Sequence, residues 1–310
     1  MSRTTSSARL GRRAVDGLTA ALALAACGSS SDPLATSPSS AGSTSAGGQI
    51  VVGGANFSES TLLAEIYAGA FRAKGVDATT KTNIGSREIY LKALQDGSIQ
   101  VFPEYTGALA KFYAKDYAGT DPTEVYAKVK EVIPSTLTVL APSAAEDNDA
   151  MVVSAATAQK YKLTKVGDLA AVAKDLVLTA PPEFKTRPQG IPGLASTYGV
   201  TFGSFVPLTG QGIVQALKND QAQVANIFST DPAIATNGFV LLEDDKKLFG
   251  SQNVVPLVAK DRASQVSAAL DAVSAKLTTA VLTDLLKKTD IDKRPHAEVA
   301  KEWLASIGLA

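Results

Sequence analysis

The sequence predicts an α/β protein of two lobes around a central cleft, joined by two crossover segments. Two observations carry this. Short apolar runs alternate with segments whose apolar residues recur at helical spacing, as in strand–helix units that build a parallel sheet. The alternation also occurs twice, once from Ile50 and again from Met151.

The elements follow in order. Ile50-Val51-Val52-Gly53 is a short apolar strand closed by glycine. Ser58 or Ser60 can cap the next helix, which carries Leu62, Leu63, Ile66, Tyr67 and Phe71 on one face and stops at Gly75. Residues 77–82 read as a second strand. Ser86 begins a helix with Ile89, Tyr90, Ala93 and Leu94 together, ending at Gly97. Residues 99–102 form a third strand, which Pro103 is expected to break. Met151 opens the second series with a strand over 151–153. A helix starts over 164–169, and residues 176–180 are a strand running into Pro181-Pro182. Residues 211–219 are helical and lead into a strand over 224–228. Residues 239–242 and 254–259 are further strands. The tail, 263–288, places Val266, Leu270, Val273, Leu277, Val281 and Leu285 at helical spacing, and a last helix follows Pro295. The chain is expected to cross near Ala150 and Gly250. Residues 49–149 plus 250–310 then form lobe I and residues 150–249 form lobe II. In such sheets ligands bind at the carboxyl ends of strands, and a cleft between lobes is a common small-molecule site.

The N-terminus has a different composition. Arg3, Arg9, Arg12 and Arg13 precede a short apolar stretch that ends at Cys27, the only cysteine. A basic start, an apolar middle and small residues before a cut are the parts of a secretory signal. The stretch is too short to span a bilayer, which takes about 20 apolar residues. Leu24-Ala25-Ala26-Cys27 resembles a bacterial lipobox, which implies a signal peptide over 1–26 and a lipidated Cys27. Residues 27–48 are rich in Gly and Ser and read as a flexible leash that holds the body to the membrane.

Composition excludes several classes. The formal net charge is 0, and removing residues 1–26 leaves about −3. There is no basic run for nucleic acid. Without a cysteine beyond Cys27, disulfides and thiolate metal sites are excluded, and a single histidine rules out a histidine-rich metal centre. No cofactor and no metal are expected. His296 opens the last helix and reads as a solvated residue. It is the only base that a serine hydrolase could use, and no G-x-S-x-G elbow accompanies it.

Four stretches carry a family resemblance. They are Asn56-Phe57-Ser58-Glu59-Ser60, Gly85-Ser86-Arg87-Glu88, Pro103-Glu104-Tyr105-Thr106-Gly107 and Phe228-Ser229-Thr230-Asp231. In this order and spacing the chain resembles the substrate-binding proteins of ABC importers for glycine betaine, choline and carnitine. A fifth match is Leu242-Glu243-Asp244-Asp245-Lys246 followed by Pro256-Leu257-Val258. The resemblance implies a periplasmic-binding-protein fold of type II kind that closes on its solute like a hinge. It also implies a receptor without chemistry of its own, acting as a monomer with a membrane permease whose ATPase is a separate chain. Sites of this family hold a quaternary ammonium in a box of tyrosines, because a permanent cation offers its nitrogen no hydrogen bond and aromatic faces attract it.

Tyr105 matches a cage tyrosine, with Phe57, Phe228 or Tyr198 as further candidates. Other cage positions depart: Asp149, Val214 and Gln252 stand where relatives often carry tyrosine. Asp149, if it faces the cleft, either replaces aromatic attraction by charge or binds hydroxyl groups of an uncharged solute. Ser58 and Thr106 either meet solute or shape a helix start and a turn. Thr230 either meets solute or caps the helix after the strand. Arg187 is positioned for a carboxylate clamp, and Glu104 reads as structural. The expected ligand-binding residues are Phe57, Ser58, Tyr105, Thr106, Asp149, Arg187, Phe228 and Thr230. The expected ligand is a small polar solute. Alternatives are a polyol or aromatic solute in the same fold, a lipoprotein hydrolase, and a surface interaction protein.

Overall fold

The computed structural model describes residues 48–310. The expected signal peptide over 1–26, Cys27 and nearly all of the expected leash lie outside the described residues. Among the described residues, ten strands make two five-stranded sheets. The strands are β1 (Ile50–Gly53), β2 (Ala78–Lys81), β3 (Val101–Tyr105), β4 (Leu137–Val139), β5 (Asp149–Val153), β6 (Val177–Ala180), β7 (Ser204–Pro207), β8 (Val224–Phe228), β9 (Val240–Leu241) and β10 (Val254–Ala259). The first sheet has the order β2-β1-β3-β10-β4 and the second β7-β6-β8-β5-β9.

Both sheets are mixed rather than purely parallel. Where a helix links successive strands the pairing is parallel, as in β1 with β2 and β3, and β6 with β7 and β8. The strands that arrive by crossing from the other sheet, β5 and β10, run antiparallel to both of their neighbours. No helical crossover dictates their direction.

Pro103 does not end its strand. It lies inside β3 opposite Pro256 of β10. The Pro256 carbonyl accepts from Leu140 N on the far side of β10, so Pro103 and Pro256 form a pair whose N–H positions face away from each other. Neither ring therefore removes a bond from the β3–β10 ladder.

Helix α1 (Ser58–Ala73) buries Leu62, Leu63, Ile66, Tyr67 and Phe71 against β1 and the last helix, His296–Ser306, which contributes Trp303 and Leu304. Helix α2 (Arg87–Gln95) and helix α3 (Thr106–Tyr113) cover the other face with Leu91, Leu94 and Leu109. Helix α3 starts directly at the end of β3, with Tyr105 at the cap position and no side-chain cap to announce it. In the tail, the helical pattern breaks into Ala263–Ser274 and Thr279–Leu286, because the Thr278 hydroxyl caps a new start by accepting from Val281 N.

Gly107, in the first turn of α3, packs against the second crossing. A Cβ there would lie 2.3 Å from the Ser251 carbonyl oxygen. Gly107→Ala is expected to destabilise the protein by about 1–3 kcal/mol through this backbone clash. Urea unfolding of the purified variant measures it, and an unchanged midpoint would show that the crossing yields freely.

Candidate functional site

A cavity of about 330 Å³ opens between the two sheets. Residues at the carboxyl ends of β1, β3, β6 and β8 line it, with Asp149 at the start of β5. Seven of the eight expected residues meet there: Phe57, Ser58, Tyr105, Asp149, Arg187, Phe228 and Thr230.

Thr106 does not. It is fully buried, its Oγ1 accepts from Asn253 N at 3.1 Å, and its own N–H donates to the Asn253 carbonyl. It ties the end of β3 to the second crossing. Tyr198 is likewise absent from the cleft. It packs in the core of the second sheet, with its hydroxyl donating to Asp244 Oδ1 and accepting from Lys246 N. Val214 and Gln252 do line the cavity. Gln252 is committed to backbone, since its Oε1 accepts from Ala108 N and its Nε2 donates to the Phe249 carbonyl.

Three rings cluster on the cavity wall. Phe57 lies 5.1 Å from Phe228 and 6.4 Å from Tyr105, centroid to centroid. A second pair, Tyr90 and Phe102, stacks nearly parallel at 3.7 Å, so each covers a face of the other.

Glu104 is structural. Arg87 reaches it with two parallel bonds, Nε to Oε1 at 2.8 Å and Nη2 to Oε2 at 3.0 Å. Tyr90 donates to Oε1 at 2.7 Å and Tyr105 N donates to Oε2 at 2.9 Å. Both ions are buried, and this network fixes the backbone that carries Tyr105.

The sequence alone missed Glu59 and Asp147. Glu59 sits in the first turn of α1, where an acid favours the helix start, so nothing in the pattern marks it as a site residue. It is buried all the same. Tyr105 donates to its Oε1 at 2.6 Å, and the Thr230 hydroxyl lies 2.5 Å from its Oε2. The same hydroxyl lies 2.9 Å from Asp147 Oδ1, which also accepts from Thr230 N at 3.2 Å. One hydroxyl has one hydrogen to give. Thr230 can give its hydrogen to only one of the two carboxyls, so the other is satisfied there only if one of the acids holds a proton. Burial raises both acids, the Glu59 carboxyl to about 7 and the Asp147 carboxyl well above the usual carboxylate range, as two buried carboxyls in one site require. Thr230 therefore bridges two acids rather than capping a helix. Asp231 makes the local turn instead, accepting from Ala233 N at 2.8 Å.

Charge in the cleft is predominantly negative. Glu59, Asp147, Asp149, Glu183, Asp231 and Asp290 line it, against Arg87, Arg187 and Lys293. Arg87 is committed to Glu104. Arg187 lines the cavity and lies 3.6 Å from Glu88 and 3.7 Å from Glu183, both loose pairs. Burial raises the Asp149 carboxyl, opposed by Arg187.

Ser58 is not the helix cap, because Phe57 occupies that position and Ser60 Oγ accepts from Ala55 N instead. The Ser58 hydroxyl donates to Asp290 Oδ1 and lies 2.8 Å from His296 Nε2. His296 is thus half-buried rather than solvated. With the serine hydrogen given to Asp290, the imidazole is the donor to Ser58 Oγ, so the three residues form a positioning contact and not a base–nucleophile pair. Among the described residues no group of three or more His, Cys, Asp or Glu could hold a metal ion. Among them, too, no helix is long and apolar enough to cross a membrane.

Comparison with known proteins gives a consistent result. A family model for the substrate binding domain of ABC-type glycine betaine transport systems matches residues 48–306. A glycine-betaine-binding protein of Pseudomonas aeruginosa is 27% identical, over 82% of this chain and 86% of the relative. The glycine betaine-binding protein YehZ of Escherichia coli is 25% identical, over 84% and 90%. Among solved structures, a glycine betaine/carnitine/choline ABC transporter protein superposes with a TM-score of 0.67 at 24% identity, over 84% of this chain and 99% of that one. A lactococcal protein in its closed, glycine betaine-bound conformation superposes with a TM-score of 0.60 at 14% identity, over 83% and 95%.

Proposed function

The chain belongs to the family of substrate-binding domains of ABC-type glycine betaine transport systems, and we propose that its cleft captures a small osmoprotectant-like solute of the glycine betaine, choline and carnitine class. Residues 49–149 plus 250–310 act as one lobe and residues 150–249 as the other, closing on the solute and presenting it to the permease. The protein acts as a monomer and performs no reaction. Lipidation of Cys27 keeps it at the outer face of the membrane, with residues 27–48 as the leash.

One observation carries this reading. Three clustered rings and an excess of carboxylates share a cavity sized for a small solute at the strand ends. The rings supply faces for a cation and the carboxylates supply field. Arg187, held only by loose pairs, is the partner for a solute carboxylate. Ser58, Phe57, Phe228, Thr230 and Asp149 complete the wall.

Calorimetric titration of the purified protein with glycine betaine, choline and carnitine tests it. At least one is expected to bind and to raise the melting temperature. Absence of binding by all three would remove the reading. Tyr105→Ala is expected to weaken that binding more than tenfold, because it removes a ring face and the donor to Glu59. Unchanged affinity in the variant would take Tyr105 out of the site.

A further inference from the structure

The Thr230 hydroxyl joins residues that different parts of the fold carry. Glu59 belongs to α1, packed on the first sheet, Thr230 follows β8 of the second, and Asp147 lies in the first crossing, just before β5. Thr230 Oγ1 lies 2.5 Å from Glu59 Oε2 and 2.9 Å from Asp147 Oδ1. Both acids are buried, and Asp147 Oδ2 has no hydrogen-bond partner. Neither acid is in an ion pair among the described residues. Two buried carboxylates around one hydroxyl hydrogen repel, and a proton held by the pair removes that repulsion. The other ionisable groups nearby are Tyr105 of β3, which donates to Glu59 Oε1, Asp149 of β5, Asp231 after β8, and Asp290 with His296 beyond Ser58. Arg87, Arg187 and Lys293 supply the positive charge of the cleft wall, and Arg87 is committed to Glu104.

We propose that capture is proton-linked: as the lobes close, the Glu59–Asp147 pair gains a proton from solution, so solute binds more tightly in mildly acidic medium than in alkaline. The inference rests on the reading of the cleft as a receptor site whose lobes close on solute, and adds the regulation of that site. Thr230 is held to Asp147 through its N–H as well, at 3.2 Å, so these two stay together when the lobes part. Glu59 meets Thr230 through the hydroxyl alone and moves off with α1. Water then reaches the acids, and both ionise as ordinary carboxyls do. Closure reverses this, and burial in the closed arrangement raises both, Glu59 to about 7. The sign of the exchange is informative. A cation that merely met the open acids would favour their ionised forms and release protons, whereas closure over the pair takes one up.

Calorimetry on the purified full chain tests this with whichever of glycine betaine, choline and carnitine binds most tightly. Titrations at pH 6 in two buffers of unlike ionisation heat count the protons exchanged. About one proton is expected to be taken up per solute, and affinity is expected to fall about tenfold between pH 6 and pH 8. Glu59→Gln keeps the shape of the contact without the charge, and is expected to remove most of the uptake and of the pH dependence. Binding without proton exchange, or with release, overturns the inference and leaves the receptor reading standing. If none of the three solutes binds at either pH, both fall. Full uptake in Glu59→Gln would place the proton elsewhere, His296 included, and would also overturn the inference. The count on the unaltered protein decides by itself, whether or not the variant folds.

Discussion

Glu104→Ala is expected to destabilise the protein by about 3–5 kcal/mol, the cost of leaving a buried ion without its partner. Arg87 would remain in the interior with both parallel bonds lost, and Tyr90 and Tyr105 N would lose their acceptor. The side chains of Arg87 and Glu104 are 7% and 0% exposed, so water cannot take over. Denaturant unfolding of wild type and variant measures the loss. A change below about 1 kcal/mol would mean that the pair is solvated in practice. The double variant Arg87→Met with Glu104→Leu is expected to recover most of the stability, since an apolar pair removes the unpaired charge. That variant would still disturb solute binding, because Glu104 holds the backbone of Tyr105. Stability and affinity should therefore separate at this position.

Between about pH 4.5 and pH 7 the protein is expected to lose stability as pH rises, by at most about 3 kcal/mol from Glu59 alone. Its folded carboxyl is raised by burial from 4.5 to about 7. Over that window the folded state keeps a proton that the unfolded chain has released, so the unfolded state gains as protons are withdrawn. The contribution is fully present below the unfolded value and gone above the folded one. Asp147, Asp149 and Asp231 are pushed in the same direction by burial. Ionising Glu59 beside Asp147 also sets two carboxylates against the single Thr230 hydrogen, in a contact that links α1 to the segment after β8. Melting temperatures from pH 5 to pH 8 should show the fall, and Glu59→Gln should flatten it while keeping a hydrogen-bonding group against Thr230. An equal slope in both proteins would assign the effect elsewhere.

The period of apolar residues was enough to find β1, α1, α2, β8 and β10, because each buries one face or two with an unbroken pattern. Elements that start without punctuation escaped it. Helix α3 begins on the residue that follows the last of a strand, and Pro122–Val132, though capped by Asp121, follows a polar loop that carries no periodicity. Pro103 misled for a definite reason. Whether a proline breaks a strand depends on which way its missing N–H would point, and register is not written in one strand alone. At the site, motif residues at strand ends were legible, since topology sends such positions to a cleft. Thr106 was not distinguishable from them, because one residue further along turns the side chain from the cavity toward the crossing. Glu59 and Asp147 were invisible as a pair. They are far apart in the chain and meet beside Thr230 only in the folded protein, so no local pattern joins them.

The position of β10 has a consequence for how the protein acquires its shape. Val254–Ala259 sits between β3 and β4 in the interior of the first sheet, and pairs Val258 with Val101. The first sheet thus remains split in two until nearly the whole chain is available, whereas every strand of the second lies within residues 149–241. The inserted lobe can finish early on its own contacts. The outer lobe must wait for a closure across the whole insert, a step of high contact order and slow search. Assembly of the cleft is therefore expected to come late in folding. Substitutions in β10 should slow refolding of the outer lobe while leaving the inserted one to form at its usual rate.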